Sequence, residues 1–201
     1  TGTPAREIAI LYRANFQSRV LEEACLNAGV PYRVLGTRFF DRKEVKDVLS
    51  YLRAAQNPAS GADLARIINY PTRGIGKVTF DRLIAGGRDA LAGKARERID
   101  NFFGILDRIR TYAQLHTPSE TVSYALKASG IEQLLKAGHT EDDEERLLNT
   151  RELVSLAATR YDTLDGPEGI NRLLEDAALA TDQDELDTRT GHTTTEAVTL
   201  M

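Results

Sequence analysis

Apolar positions change their spacing several times within the first ninety residues, and beyond about residue 91 they keep a single helical one. The run Ile8-Ala-Ile-Leu11 is unbroken, ends in Tyr12 and Arg13, and gives way to a polar turn, which is the pattern of a buried strand. A helix is predicted over 17–28, with Val20, Leu21, Ala24 and Cys25 on one face and Gly29 and Pro31 past its end. Tyr32 to Leu35 reads as a second short strand, stopped by Gly36. Over 43–56, Val45, Val48, Leu49 and Leu52 fall at i, i+3, i+4 and i+7, and Asn57-Pro58 closes that helix. Leu64, Ile67 and Ile68 mark a short helix, Tyr70 to Gly76 a turn, and Val78, Leu83 and Ile84 a further helix that ends at Gly86-Gly87.

From about 91 onward only helices are predicted. Ile99, Phe102, Phe103, Leu106 and Ile109 form the stripe of a long one. Thr117-Pro118-Ser119-Glu120 is a capping box with proline at the first helical position, so a helix starts there and runs to Gly130. A short helix, Ile131 to Lys136, ends at Gly138. The acidic run 141–145 suits a helix N-terminus and leads into Leu147, Val154 and Tyr161. A last helix over 168–180 precedes a polar stretch, 181–195, with too few apolar residues to pack. The final Ala197-Val-Thr-Leu-Met201 is apolar and β-prone, and a chain that stops inside a strand reads as cut. The predicted class is mainly α with a small α/β part: a helical insertion in an α/β domain whose sheet the last strand rejoins.

Composition narrows the setting. With 41% hydrophobic and 28% charged residues, 201 residues can form one large domain or two small ones, each with a real core. No apolar run approaches the roughly 20 residues of a membrane span, and a lone cysteine, Cys25, forms no internal disulfide. A cytoplasmic protein with no membrane partner is the expectation. The net charge of −4 hides a division. Residues 1–94 carry 15 Lys/Arg against 9 Asp/Glu, whereas residues 95–201 carry 11 against 21. An anion-facing half is joined to one whose surface repels nucleic acid.

Three segments carry candidate chemistry. A strand that ends in Tyr12-Arg13 delivers two functional side chains to the carboxyl edge of a sheet, where open α/β folds bind ligands. In Thr72-Arg73-Gly74-Ile75-Gly76-Lys77, glycines permit close backbone approach and the following helix N-terminus adds its dipole, as in turns that hold DNA phosphates without reading bases. Arg38-Phe39-Phe40-Asp41-Arg42-Lys43 sets aromatics beside cations, as single-strand binders do; the plainer reading makes both phenylalanines core. Gly87 to Ala95 only imitates a phosphate-binding P-loop: the spacing is one residue too long, and Ala95 stands where Ser or Thr would meet Mg²⁺. His116, His139 and His192 are scattered, and no metal-ligand spacing appears.

Taken in order, Leu11 to Arg19 (LYRxNxQSR), Pro31-Tyr32-Arg33, Phe39 to Asp47 (FFxRxExKD), Tyr51-Leu52-Arg53 and Pro71 to Gly76 (PTRGIG) resemble the UvrD/PcrA/Rep family of DNA helicases, from motif IV to just before motif V. The resemblance implies an incomplete RecA-like motor subdomain 2A over 1–90, an inserted all-helical subdomain 2B over 91–191, and a returning 2A strand over 192–201. It implies a fragment of an ATP-dependent, 3′-to-5′ DNA helicase of the repair type, with ATP and Mg²⁺ held by the parent protein and none by this fragment. Tyr12 would stack near the adenine, and Arg13 would act as the arginine finger of the ATP site. Thr37, Arg38, Thr72, Arg73, Gly74, Gly76 and Lys77 would meet DNA, with Lys127 and Lys136 of a helix-turn-helix as candidates in the helical block. The implied partners are single-stranded and duplex DNA, without base preference, and the missing motor domain. Where the family often has two glycines, only Gly36 precedes Thr37. The rival reading is a free-standing helical DNA-binding or protein-interaction module without a motor.

Overall fold

The computed structural model describes residues 2–13, 15–190 and 197–201, with backbone alone at position 15 and over 181–190. Its sheet has three parallel strands, β1 (Ala9–Ile10), β2 (Tyr32–Val34) and β3 (Val198–Leu200), in the order β1-β3-β2. The last strand of the chain rejoins the sheet, as expected, and it does so at the middle. Ile10 and Val34 both pair with Leu200, from opposite sides. A central parallel strand is covered on both faces, and Val198, Thr199 and Leu200 are all buried. β1 is shorter and more open than the expected buried run over 8–13, with Ile8 39% and Leu11 76% exposed. Among the described residues it is an edge strand, paired on one side only.

Helix α1 (Ser18–Asn27) connects β1 to β2. Its buried face is Ser18, Glu22 and Cys25, not the expected Val20–Leu21–Ala24–Cys25 stripe: Val20 is 54% exposed and Ala24 faces solvent. The helix is rotated because its inner side meets a polar partner, Arg42, as well as the sheet.

The helical part comprises α2 (Lys43–Gln56), α3 (Gly61–Ile67), α4 (Lys77–Gly86), α5 (Gly93–Ala113), α6 (Pro118–Ser129), α7 (Ile131–Gly138), α8 (Glu141–Arg160) and α9 (Gly166–Thr190). The predicted stripe of α2 is buried, and so are Ser50, Tyr51, Ala54 and Ala55, because α3, α5, α6 and α8 all close over this helix. All five predicted core positions of α5 are buried. The capping box of α6 forms: Thr117 Oγ1 accepts from the Glu120 N–H, Glu120 Oε2 accepts from the Thr117 N–H at 3.0 Å, and Gly130 ends the helix at φ 84°. Tyr112 of α5 stacks on Tyr124 of α6 with centroids 4.1 Å apart, fastening these two helices.

Two expectations change. α4 buries only Leu83, leaving Val78 67% and Ile84 57% exposed. The helical backbone of α9 runs on to Thr190, past the predicted end at 180. His192 and the expected start of the returning segment lie outside the described residues.

One hydrophobic core runs from Phe39 to Ala177 through α2, α5, α6, α8 and α9. It crosses position 90/91 without a break, so the expected boundary between 1–90 and 91–191 does not coincide with a gap in packing. A second, small core sits beneath the sheet, where Cys25, Val198 and Leu200 pack with Ile10, Tyr12, Leu21 and Tyr32.

Candidate functional site

Parallel strands bring their carboxyl ends to one edge. Here that edge gathers Tyr12 and Arg13 after β1, Leu35 to Thr37 after β2, and Met201 after β3. The Tyr12 N–H donates to the Met201 carbonyl at 2.8 Å, and the Leu35 N–H to the Leu200 carbonyl at 2.8 Å. Tyr12 is half-buried and Arg13 exposed. Both line an open cleft of about 540 Å³ with Leu11, Phe16, Gln17 and Val20. A half-buried aromatic ring and an exposed cation lining one cleft can together take a planar base and a charged phosphate.

Behind this turn lies a buried polar cluster that sequence reasoning missed. The Arg42 guanidinium donates to Ser18 Oγ at 2.8 Å, to Asn149 Oδ1 at 2.7 Å and to the Thr37 carbonyl at 3.3 Å. Asn149 in turn donates to Glu44 Oε1 at 2.6 Å. Ser18 and Glu22 share the buried face of α1, with Arg42 opposite them. Burial pushes the Tyr12 phenol and the Glu22 carboxyl up, and it pulls the Arg42 guanidinium down against the attraction of Glu22 and Glu44. On the outer side of α1, Arg19 pairs with Glu23 at 2.7 Å and with Glu152 of α8, while Arg160 pairs with Glu23 at 2.5 Å. The only sequence signal for this cluster was the polar wording Arg42-Lys43-Glu44 beside two aromatics. Asn149 and Glu152 sit in a polar helix with nothing to single them out.

Thr37 is exposed, whereas Arg38 is half-buried with its guanidinium 5.7 Å from the centre of the Tyr32 ring. Phe39 is 1% exposed and Phe40 packs against the same core, so the plainer reading of these aromatics holds: the Phe39 face is not open for bases to stack on.

The turn 72–77 divides into an inner and an outer part. Arg73 points inward. It lies over the Tyr51 and Phe102 rings and donates to the carbonyls of Pro71 at 2.8 Å and Ser129 at 2.6 Å. The Ser129 carbonyl belongs to the last turn of α6, where helix carbonyls lack internal partners and a cation is favoured. Asn69 Oδ1 accepts from the N–H groups of Arg73 and Ile75 at 2.9 and 3.1 Å, which fixes the turn from below. Gly74 has φ 69° and lends its carbonyl to Arg98 at 2.7 Å. Gly76, the N-cap of α4, has φ −84° and ψ 172°, a conformation any residue adopts. Thr72, Gly74, Gly76 and Lys77 are exposed.

Arg73 also brings this turn against the α6–α7 turn, where a Cβ on Gly130 would lie 3.8 Å from Pro71. Lys127 and Lys136 flank that second turn and are both exposed, Lys136 paired with Glu132 at 2.5 Å. The segment Gly87 to Ala95 joins α4 to α5 and follows no strand, so it lacks the strand-to-helix setting of a P-loop as well as its spacing. Among the described residues, no three His, Cys, Asp or Glu side chains converge as metal ligands, and no helix is long and apolar enough to cross a membrane.

Comparison with known proteins agrees with this layout. The family model of the UvrD-like helicase C-terminal domain matches residues 1–201. The chain is 36% identical to DNA helicase II of Salmonella typhimurium over 93% of its length, and 39% identical to DNA helicase II of Escherichia coli over 79%. It is 31% identical to the ATP-dependent DNA helicase PcrA of Bacillus subtilis over 97%. These alignments cover 29%, 24% and 29% of the respective relatives, so the chain spans less than a third of their length. With its motifs in order, a last strand that completes a parallel sheet and a family match from end to end, the chain belongs to the UvrD-like helicase C-terminal domain family.

Proposed function

We propose that this chain is the part of an ATP-dependent, 3′-to-5′ DNA helicase that carries the second half of the nucleotide site and a DNA-backbone surface. One observation carries the reading. Tyr12 and Arg13 leave the carboxyl end of a parallel strand into an open cleft, with the ring held and the guanidinium exposed.

Bound ATP with Mg²⁺ would supply the phosphoanhydride whose hydrolysis drives movement. The residues present fit half of that ligand: a ring for the base and a cation for the terminal phosphate. Arg13 would stabilise the charge that builds on the transferring phosphoryl group, which is the work of an arginine finger. Tyr12, anchored by the Met201 carbonyl and packed against the small core, would orient the nucleotide. The loop that cradles the phosphates must come from elsewhere in the parent protein, so the chain alone should hydrolyse no ATP.

The sheet with its small core, together with α2, α3 and α4, supports assignment as part of motor subdomain 2A, and α5 to α9 as 2B. The outer half of the turn 72–77, with the N-terminus of α4 and the adjoining α6–α7 turn, offers backbone N–H groups, Lys77 and Lys127 to phosphates. Such contacts position a protein on DNA without reading bases. Arg73 serves this surface by building it, since its guanidinium is committed to carbonyl oxygens.

Strand displacement by the full-length protein tests the polarity. Duplexes with a single-stranded 3′ tail should be unwound in the presence of ATP and Mg²⁺, and those with only a 5′ tail should not. Equal unwinding of both, or unwinding without ATP, would refute the reading.

A further inference from the structure

Arg42 carries a charge into an interior position, 6% exposed, where an apolar side chain of similar volume would incur less desolvation cost. What it gains there is connection. One guanidinium nitrogen holds Ser18 Oγ at 2.8 Å and another holds Asn149 Oδ1 at 2.7 Å. Ser18 is 0% and Asn149 2% exposed. Ser18 is the first residue of α1 and directly follows the turn that carries Tyr12 and Arg13, so its bond to Arg42 fixes the end of that turn. A path of side-chain hydrogen bonds thus runs from the start of α1, through Arg42, to the middle of α8. The planar fork of an arginine holds its partners at fixed angles, which a lysine cannot do. A shift of α8 must therefore either break the bond to Asn149 or pull on Ser18 and the turn that ends at it.

We propose that Arg42 is a positioning residue that couples the placement of the Tyr12–Arg13 turn to helix α8, through Ser18 on one side and Asn149 on the other. The proposal rests on the nucleotide-site reading of Tyr12 and Arg13 given above.

A double-mutant cycle in the full-length protein tests it. Asn149→Ala removes the distant end of the path, while the Arg19–Glu152 and Arg160–Glu23 pairs still hold α1 against α8. In the native background Asn149→Ala lowers kcat for ATP, by up to about 10²-fold for a displacement of the reacting groups near 1 Å. In an Arg13→Ala background the same change lowers the residual kcat by less than about twofold, because the residue being positioned is already gone. A merely structural role gives equal losses in both backgrounds. Ser18→Ala, which removes one hydroxyl, should repeat the pattern and serves where Asn149→Ala melts early in a thermal scan. Equal losses in both backgrounds, or an unchanged kcat on Asn149→Ala, overturn the proposal. An Arg13→Ala protein with normal turnover overturns the nucleotide-site reading itself and takes the proposal with it, an outcome read from that single variant alone.

Discussion

Glu22 brings a carboxylate into the space between α1 and the helical part, where it is 9% exposed and its Oε1 has no hydrogen-bond partner. Burial raises its pKa above 4.5, and its bonds to Ser18 and the Phe39 backbone, with the Arg42 charge, only partly offset this. The sign of the linkage follows. A carboxyl whose pKa is higher in the folded than in the unfolded chain binds its proton more tightly when folded. Its favourable contribution is fully present below the unfolded pKa and is lost as pH rises through the folded one. Glu22→Gln imitates the protonated form and keeps an acceptor oxygen. It should therefore melt at a higher temperature than the parent at pH 7, with the difference closing as pH falls toward 4.5. A constant difference across that range, or a less stable variant at pH 7, would show that the Arg42 charge outweighs the desolvation. This residue also shows where the sequence misleads. Val20, Leu21, Ala24 and Cys25 make a sound apolar stripe, yet of these α1 buries only Cys25, together with Ser18 and Glu22, because a charge 20 residues away in sequence from Glu22 sits opposite them.

Local rules served best for elements that need only their own residues. The C-terminal end of α2 and both ends of α6 follow from proline, glycine and threonine at set positions, and the structure places these ends where those residues require. Elements completed by distant chain were less legible. β1 shrinks to two residues because it lies at a sheet edge, and α4 buries only Leu83 because it packs on little else. The turn before α4 separates two roles that glycine plays. Gly74→Ala meets both a left-handed φ and the Arg98 guanidinium at 3.0 Å, so it should cost stability, with about 1–2 kcal/mol from the backbone alone. Gly76→Ala meets nothing within 4 Å at an ordinary φ, and as an N-cap change it should cost below about 1 kcal/mol. Gly76→Ala is thus the clean probe of close backbone approach, and fluorescence anisotropy with a forked duplex should show weaker binding at unchanged fold. Lys77→Ala should lower the salt slope by about one. Binding by Gly76→Ala equal to the parent at every salt concentration would make the turn a connector only.

At the scale of the whole molecule, two cores of unequal size divide the work. The small one under the sheet holds the carboxyl edge where Tyr12 and Arg13 emerge, and the large one from Phe39 to Ala177 makes a continuous helical body. Sequence motifs singled out the Tyr12–Arg13 turn directly, since a strand ending in Tyr-Arg is a local pattern. They did not reveal the Ser18–Arg42–Asn149 path, because its members lie up to 131 positions apart and each is an ordinary polar residue in its own element. Arg73 shows the converse: its motif marks an exposed turn, but its guanidinium is spent on holding that turn together. Charge would set the scale of the proposed DNA contact, since residues 95–201 carry 21 acidic against 11 basic side chains and such binding would stay local to the few exposed lysines. Everything in the functional account converges on Arg13, whose side chain stands exposed at the mouth of the cleft. The most direct measurement is DNA-stimulated ATP turnover by the full-length protein carrying Arg13→Ala, with DNA affinity followed in parallel. The account predicts a fall in kcat of about 10³–10⁵, the range for arginine fingers, with DNA binding close to that of the parent. Turnover at the parent's rate would contradict it.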